Sequence, residues 1–329
     1  FYAGMHCTYV ERIVDELKNL RHRLVPSSDM VHYHLKKNNS LLLKAQLDQI
    51  LEDTIESLAK ARLLKQRYTV AIDIHTRLYY GKRDKNWIVG IEKKKGTCYG
   101  YQFATLDLVV AGERFTLKAI PVLPFTKKEE LVRELIEYAR RYVKIHIVLL
   151  DRGFYTIEVI KTLLSLEIDF LMAAIKHANI QQLLKDVYFN KTWFAQTHTL
   201  GKGKRKVGFN LFGKYSWKKK EWHVFATNLV VRDKVDVEFY AEFYRKRWGI
   251  ETGYRVKQDF LIMTTSTCYS VRLFFFFLSV IFYNTLIACN LVYSEQRKLE
   301  PEKPLITTWQ VRCVITILIE NTMHPSSSR

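Results

Sequence analysis

Thr69-Val70-Ala71-Ile72-Asp73-Ile74-His75 is a short apolar run with a carboxylate at its centre. Its length and its Val and Ile content read as a buried strand. A charge inside such a strand is costly unless something compensates it. A bound metal is the simplest compensation, and a Lys or Arg from elsewhere in the chain is the ordinary alternative. Working outward, Thr97 to Val110 and Glu113 to Leu123 are rich in Thr, Val, Phe and Tyr, and Ala111-Gly112 joins them tightly. Three sequential strands, antiparallel, are therefore expected. Lys127 to Tyr142 alternates charge with Leu131, Leu135, Tyr138, Ala139 and Tyr142, an amphipathic helix. Ile145 to Leu150 reads as a fully buried strand that ends at Asp151, Thr156 to Leu166 as a helix, and Ile168 to Ile175 as a fifth strand.

The order β-β-β-α-β-α-β is that of the ribonuclease-H-like fold. The expected class is α/β: a mixed sheet flanked by helices, with a β-rich insertion and a helical N-terminal module. That module spans 1–66, where Val10 to Leu24 and Leu41 to Leu64 carry apolar residues at helical spacing, interrupted at Pro26-Ser-Ser-Asp29. The catalytic domain is assigned to 67–293. Its insertion falls at about 176–226, where Gly201-Lys-Gly-Lys-Arg-Lys206 and Tyr215-Ser-Trp-Lys-Lys-Lys220 punctuate short aromatic-rich strands. Residues 294–329 form a C-terminal helical tail. The chain begins at Phe1 without an initiator Met, so an N-terminally incomplete product is expected.

Val271 to Tyr293, with Phe274-Phe-Phe-Phe277 at its centre, is long enough to span a membrane. Ser279, Asn284, Thr285 and Asn290 would then have to be satisfied in lipid. A helix buried on all sides by protein is the reading adopted, with no membrane partner.

Across 329 residues, 52 Lys plus Arg stand against 33 Asp plus Glu, a net charge of +19. A chain so basic attracts a polyanion, and neutralising phosphates releases condensed counterions. The five cysteines are scattered, without a C-x-x-C pair. Neither a zinc site nor a disulfide framework follows, and a reducing cytoplasm is the expected compartment, nucleoid-associated where the polyanion is DNA.

Asp151 at the tip of a buried strand occupies the usual functional end of an open sheet. Adjacent strands would bring it beside Asp73, and Glu251, on the helix-like stretch from Tyr240, would close the site. Oxygen-only ligands favour Mg²⁺ or Mn²⁺. A pair of such ions can serve an in-line displacement at phosphorus. Taken singly, each carboxylate also has an ordinary reading: Asp73 in an ion pair, Asp151 in a turn with Arg152, Glu251 on a solvated helix face.

Tyr244-Arg-Lys-Arg-Trp-Gly-Ile-Glu251-Thr-Gly-Tyr-Arg-Val-Lys257 resembles the signature of DDE transposases of the insertion-sequence-4 type. Tyr244, Arg247 and Glu251 match it in spacing, while Gln258 stands where the family's Lys is usual and Lys257 comes one place early. Asp151-Arg-Gly-Phe-Tyr155 resembles the second-Asp motif and Val70-Ala-Ile-Asp73 the first. The resemblance covers about 68–293. It implies metal-dependent cleavage at transposon ends and strand transfer into target DNA, by a homodimer when two ends are synapsed. It further implies DNA contacts by Tyr244, Arg247 and Lys257, with Arg152 and Arg255 beside the motifs. A Trp of the insertion (Trp193, Trp217 or Trp222) would stack on a flipped base. Two other functions stay open: a repair or junction nuclease on the same fold, and a catalytically inactive DNA-binding remnant.

Minor signals complete the reading. His75 shares a sheet face with Asp73 if the strand is regular. Lys93-Lys-Lys95 and Lys218-Lys-Lys220 are either phosphate contacts or solvated turns. His32 and His34 lack companions for a metal set.

Overall fold

The computed structural model describes residues 8–19, 26–82, 86–110, 113–188, 191–249 and 260–297, together with 3, 306, 307, 309–311, 313 and 314. Helices α1 (Val10–Asn19), α2 (Ser28–Lys37) and α3 (Ser40–Lys60) precede strands β1 (Arg67–Leu78), β2 (Val89–Lys94), β3 (Thr97–Val110) and β4 (Glu113–Val122). Then come α4 (Lys128–Arg140), β5 (Lys144–Leu150), a 3-10 turn at Arg152–Phe154, α5 (Ile157–Ser165), β6 (Phe170–Ala173) and α6 (Ala178–Tyr188). Strands β7 (Trp193–Lys202), β8 (Arg205–Ser216) and β9 (Glu221–Thr227) and helices α7 (Lys234–Gly249) and α8 (Tyr269–Arg297) follow.

Among the described residues, the strands form one nine-stranded mixed sheet in the order β2-β3-β1-β5-β6-β9-β8-β7, with β4 also paired to β3. The pairs β1–β5 and β5–β6 are parallel, and the others are antiparallel. The β-β-β-α-β-α-β order of the ribonuclease-H-like fold is therefore present in β1, β3, β4, α4, β5, α5 and β6. The aromatic-rich strands expected as an insertion join this sheet directly, because β9 pairs with β6. The hairpin β7–β8 turns at Gly203-Lys204, and two residues earlier Gly201 of β7, with a φ of +92° and a would-be Cβ 2.0 Å from the Arg205 carbonyl, admits only glycine.

Local chemistry explains the helix starts. The Asn39 side chain accepts from the backbone N–H of Leu41 at 2.9 Å, capping α3, and Thr156 accepts from Val159 at 3.2 Å, capping α5. Ser27 does the same for Met30 at 3.2 Å. The Pro26-Ser-Ser-Asp29 stretch, expected as a bare interruption, is thus the start signal of α2.

Helix α8 is long and apolar enough to cross a membrane, but here it lies in the core. Phe276 stacks on Phe103 of β3 with ring centroids 4.1 Å apart, and Leu43, Leu47 and Leu51 of α3 share that cluster. The polar residues of α8 are satisfied inside the protein. The Asn284 amide donates to the Thr116 carbonyl at 2.7 Å and accepts from the Thr116 N–H at 2.9 Å, acting as a surrogate strand on the side of β4 away from β3. Asn290 pairs in the same two-bond manner with Ile306, at 3.0 and 2.7 Å. Ser279 and Thr285 donate to carbonyls of their own helix.

Candidate active site

Strand register brings the first two carboxylates together. In the parallel β1–β5 pair Ala71 lies opposite Leu149 and Ile72 opposite Leu150. Asp73 and Asp151 are the next residues of the two segments, level with one another. Side chains alternate along a strand, so both share the face of Ala71 and Leu149. Neighbouring strands run about 4.8 Å apart, close enough for two carboxylates to serve one centre. Both residues are partly buried. The Asp73 Oδ1 accepts from the Ile74 N–H at 2.7 Å, and the Asp151 Oδ1 accepts from the Gly153 N–H at 2.7 Å as the 3-10 turn begins. A Cβ at Gly153 would stand 2.9 Å from that carboxylate oxygen, so a larger residue there would push the Asp151 carboxylate aside. Lys128 ties the turn down from α4, donating to the Gly153 carbonyl at 2.6 Å. Tyr155, at the end of the turn, has its phenol pushed up to about 12 by burial.

Helix α7 crosses this face and is anchored at the same spot. Tyr244 is 3 % exposed, packs on Phe225 with centroids 4.9 Å apart, and donates its hydroxyl to the Leu150 carbonyl at 2.9 Å. The residue expected to hold a DNA phosphate therefore has its ring in the core and its hydroxyl on the residue before Asp151. Arg247 lies one turn further along α7. Glu251, Arg255 and Lys257 lie outside the described residues. The chain re-enters at Phe260, fully buried against Phe282 of α8, and Met263 then bridges to Tyr9. Among the described residues no three His, Cys, Asp or Glu side chains form a metal set. Two hard carboxylate donors at neighbouring strand ends nevertheless suit a Mg²⁺-type cation, with Glu251 as the expected third ligand.

Exposure separates the tryptophans. Trp217 is 68 % exposed in the β8–β9 turn, its ring edge-on to Tyr215. Trp222 is 7 % exposed, buried between Phe194 and Tyr215, and Trp193 is partly buried beneath Lys191. The strand directions put the Lys218–Lys220 turn at the end of the sheet that carries Asp73 and Asp151, because Phe225 is level with Ala173 and the turn lies beyond it. The β2–β3 turn with Lys93–Lys95 projects from that end too, beyond the Leu78–Gly100 pair. Arg152 is exposed beside Asp151, and exposed Tyr80 and Phe125 rise from neighbouring loops.

One group of residues was not found from sequence. Asp107 and Arg114, both fully buried, form an ion pair at 3.1 Å on the same face as Asp73. Thr116 donates to Asp107 at 2.6 Å and Thr105 donates to it at 3.3 Å. The signal was available: Asp107 is a carboxylate inside an apolar strand, as Asp73 is. Here the ordinary compensation, an arginine, is the one the fold supplies.

Paired carboxylates at adjacent parallel strand ends define a ribonuclease-H-like α/β protein with an acidic centre framed by basic turns. The chain belongs to the transposase DDE domain family, whose model matches residues 61–284. No curated protein sequence matches it. Its fold is similar to a cryo-EM structure of the piggyBac transposase synaptic complex with hairpin DNA, with a TM-score of 0.57 and 14% sequence identity. The likeness covers 79% of this chain and 55% of that one, so the chain spans about half the length of that protein.

Proposed function

We propose that this chain is the catalytic region of a DNA transposase of the insertion-sequence-4 type, which cleaves transposon ends and joins the freed strand to target DNA. The observation that carries the reading is the level placement of Asp73 and Asp151 on one face of adjacent parallel strands. With Glu251 they would hold divalent cations, Mg²⁺ or Mn²⁺, as a pair. Such ions, when bound, supply activation of the attacking oxygen and neutralise charge on the leaving one.

The rest of the work falls to the protein. Tyr244 fixes α7 to the strand end at Leu150, next to Asp151. Lys93–Lys95, Arg152 and Lys218–Lys220 neutralise backbone phosphates on either side of the carboxylates. Trp217 offers an exposed ring on which an unpaired base can stack. Hydrolysis of a strand at the transposon end frees a 3′-hydroxyl, and that hydroxyl attacks a target phosphodiester in the second step. Two ends held together call for two copies of the chain, a homodimer on DNA.

The test uses the full chain and a duplex bearing the DNA ends that flank its coding sequence. Mg²⁺-dependent nicking is expected from the wild type and should vanish in Asp73→Ala, Asp151→Ala and Glu251→Ala, while each variant still binds the duplex. Near-normal nicking by Asp151→Ala would sink the mechanism.

A further inference from the structure

Arg272 stands in a costly place. Helix α8 carries Tyr269, Arg272 and Phe276 at i, i+3 and i+7, on one side of the helix. The two aromatics show which way that side turns. Tyr269 packs on Tyr101 of β3 with ring centroids 5.7 Å apart, and Phe276 stacks on Phe103 at 4.1 Å. Arg272, between them in the helix, is half-buried over the sheet face that carries Asp73. The titratable groups around it are the phenols of Tyr101, Tyr79 and Tyr9, and burial draws its guanidinium below the usual arginine range. Among the described residues no carboxylate pairs with it. It also lies in the first turn of a 29-residue helix, where the dipole favours an acid.

Packing does not need this charge, yet the guanidinium is held in place. Its Nε donates to the Ser266 carbonyl at 2.7 Å, which fixes the plane of the fork. The two terminal nitrogens meet no acceptor among the described residues and are not sealed from solvent. The walls are tight. Tyr79 donates to the Lys82 carbonyl at 2.7 Å, and a Cβ at Gly81 would stand 2.5 Å from the Tyr79 hydroxyl and 2.8 Å from Thr267 Cγ2. The turn after β1 is thus closed on the loop before α8. Tyr80 donates to the Lys95 carbonyl at 3.0 Å, which ties the β2–β3 turn to the same rim. Exposed Lys82 and Lys93–Lys95 add positive charge there. A half-buried cation without a counter-charge calls for an anion from outside. We propose that Arg272 is a seat for a backbone phosphate of bound DNA, its two terminal nitrogens gripping the phosphate oxygens side by side. This rests on the DNA-handling part of the reading above and not on its metal site. Tyr101 is paired with Arg77, four residues beyond Asp73, about 13 Å along the strand. The phosphate held is therefore a flanking one and not the one under attack.

Duplex binding by the full chain, measured in EDTA so that no divalent ion contributes, tests the seat apart from catalysis. The probe is a labelled duplex of the DNA ends that flank the coding sequence, titrated between about 50 and 200 mM salt. Arg272→Met keeps the length of the side chain and removes its charge. It should lower the slope of log affinity against log salt by about one. Arg297→Met removes an equal charge from the other end of α8, where the exposed guanidinium lies over Tyr293, and should leave the slope near the wild-type value. Should Arg272→Met fail to fold, Arg272→Gln reads the same lost charge. An unchanged slope in the methionine (or glutamine) variant, whatever its stability in urea, shows that Arg272 only pins the loop at Ser266 and overturns the proposal. An equal drop in Arg297→Met overturns it too, because net charge would then be the cause. Nicking separates the two levels. Asp151-dependent nicking with an unchanged slope keeps the transposase reading and removes the seat. A slope lowered by about one in a protein that never nicks keeps the seat and removes the catalytic reading.

Discussion

Tyr244 and Trp217 show how much a single side chain's burial decides. The Tyr244 hydroxyl links α7 to the last residue of β5, so its loss should act on the site through geometry. Tyr244→Phe removes one hydrogen bond from a buried carbonyl, a loss of about 1–3 kcal/mol. The protein should stay folded, with lower stability in urea, while Mg²⁺-dependent nicking per folded molecule falls further than stability does. Unchanged nicking per folded molecule would mean that the bond does not set the register of α7. The tryptophans should separate cleanly. Trp222→Ala opens a cavity between Phe194 and Tyr215 and should cost about 3–5 kcal/mol of unfolding free energy. Trp217→Ala should leave stability untouched and weaken binding of ends with an unpaired base by about 1–3 kcal/mol. Equal binding by wild type and Trp217→Ala removes that residue from the DNA surface.

At the scale of elements, α8 makes the clearest commitment. Its Phe276 ring is buried on Phe103 and edge-on to Phe277, and Asn284 covers the free side of β4. Phe276→Asp buries an unpaired charge, costing several kcal/mol against a total stability of about 5–15 kcal/mol. Aggregated or proteolysed protein is expected on expression. If wild-type protein instead partitions into vesicles and Phe276→Asp becomes soluble, α8 is not a core helix. Elements with a strong period were legible in sequence: Thr97 to Val110 is found with those bounds, and Lys127 to Tyr142 appears as Lys128–Arg140. Those missed lacked a buried face or a recognised start. Strand β2 is a six-residue, mostly exposed segment ending in Glu92-Lys-Lys94, so no apolar alternation marked it. Helix α2 hid behind Pro26-Ser27, whose capping role appears only once the Met30 contact exists. Asp107 carried the same signal as Asp73, but its partner Arg114 was not legible, because the pair joins two strands across a turn and sequence spacing does not name a partner. Asp73 and Asp151 stood out because each is a charge set in or against an apolar run.

The whole molecule carries +19, and its charge is distributed unevenly enough to make a claim. Two basic turns rise from opposite ends of β8. Lys218–Lys220 follows its C-terminus, at the end of the sheet that holds Asp73 and Asp151, and Lys202-Gly-Lys-Arg205 precedes it at the other. All six cations are exposed, so neither set is needed for packing. If DNA lies across the carboxylate end, only the first set neutralises phosphate. Each phosphate contact adds about one to the slope of log affinity against log salt. Changing Lys218, Lys219 and Lys220 together to Gln should therefore lower that slope by about three and weaken duplex binding at low salt. Changing Lys202, Lys204 and Arg205 to Gln removes the same charge and should leave the slope near the wild-type value. Titrations of both triple variants between about 50 and 200 mM salt, the range over which phosphate contacts tell most strongly, decide the matter. Equal losses would mean that DNA is drawn by net charge alone and is not aligned on Asp73 and Asp151.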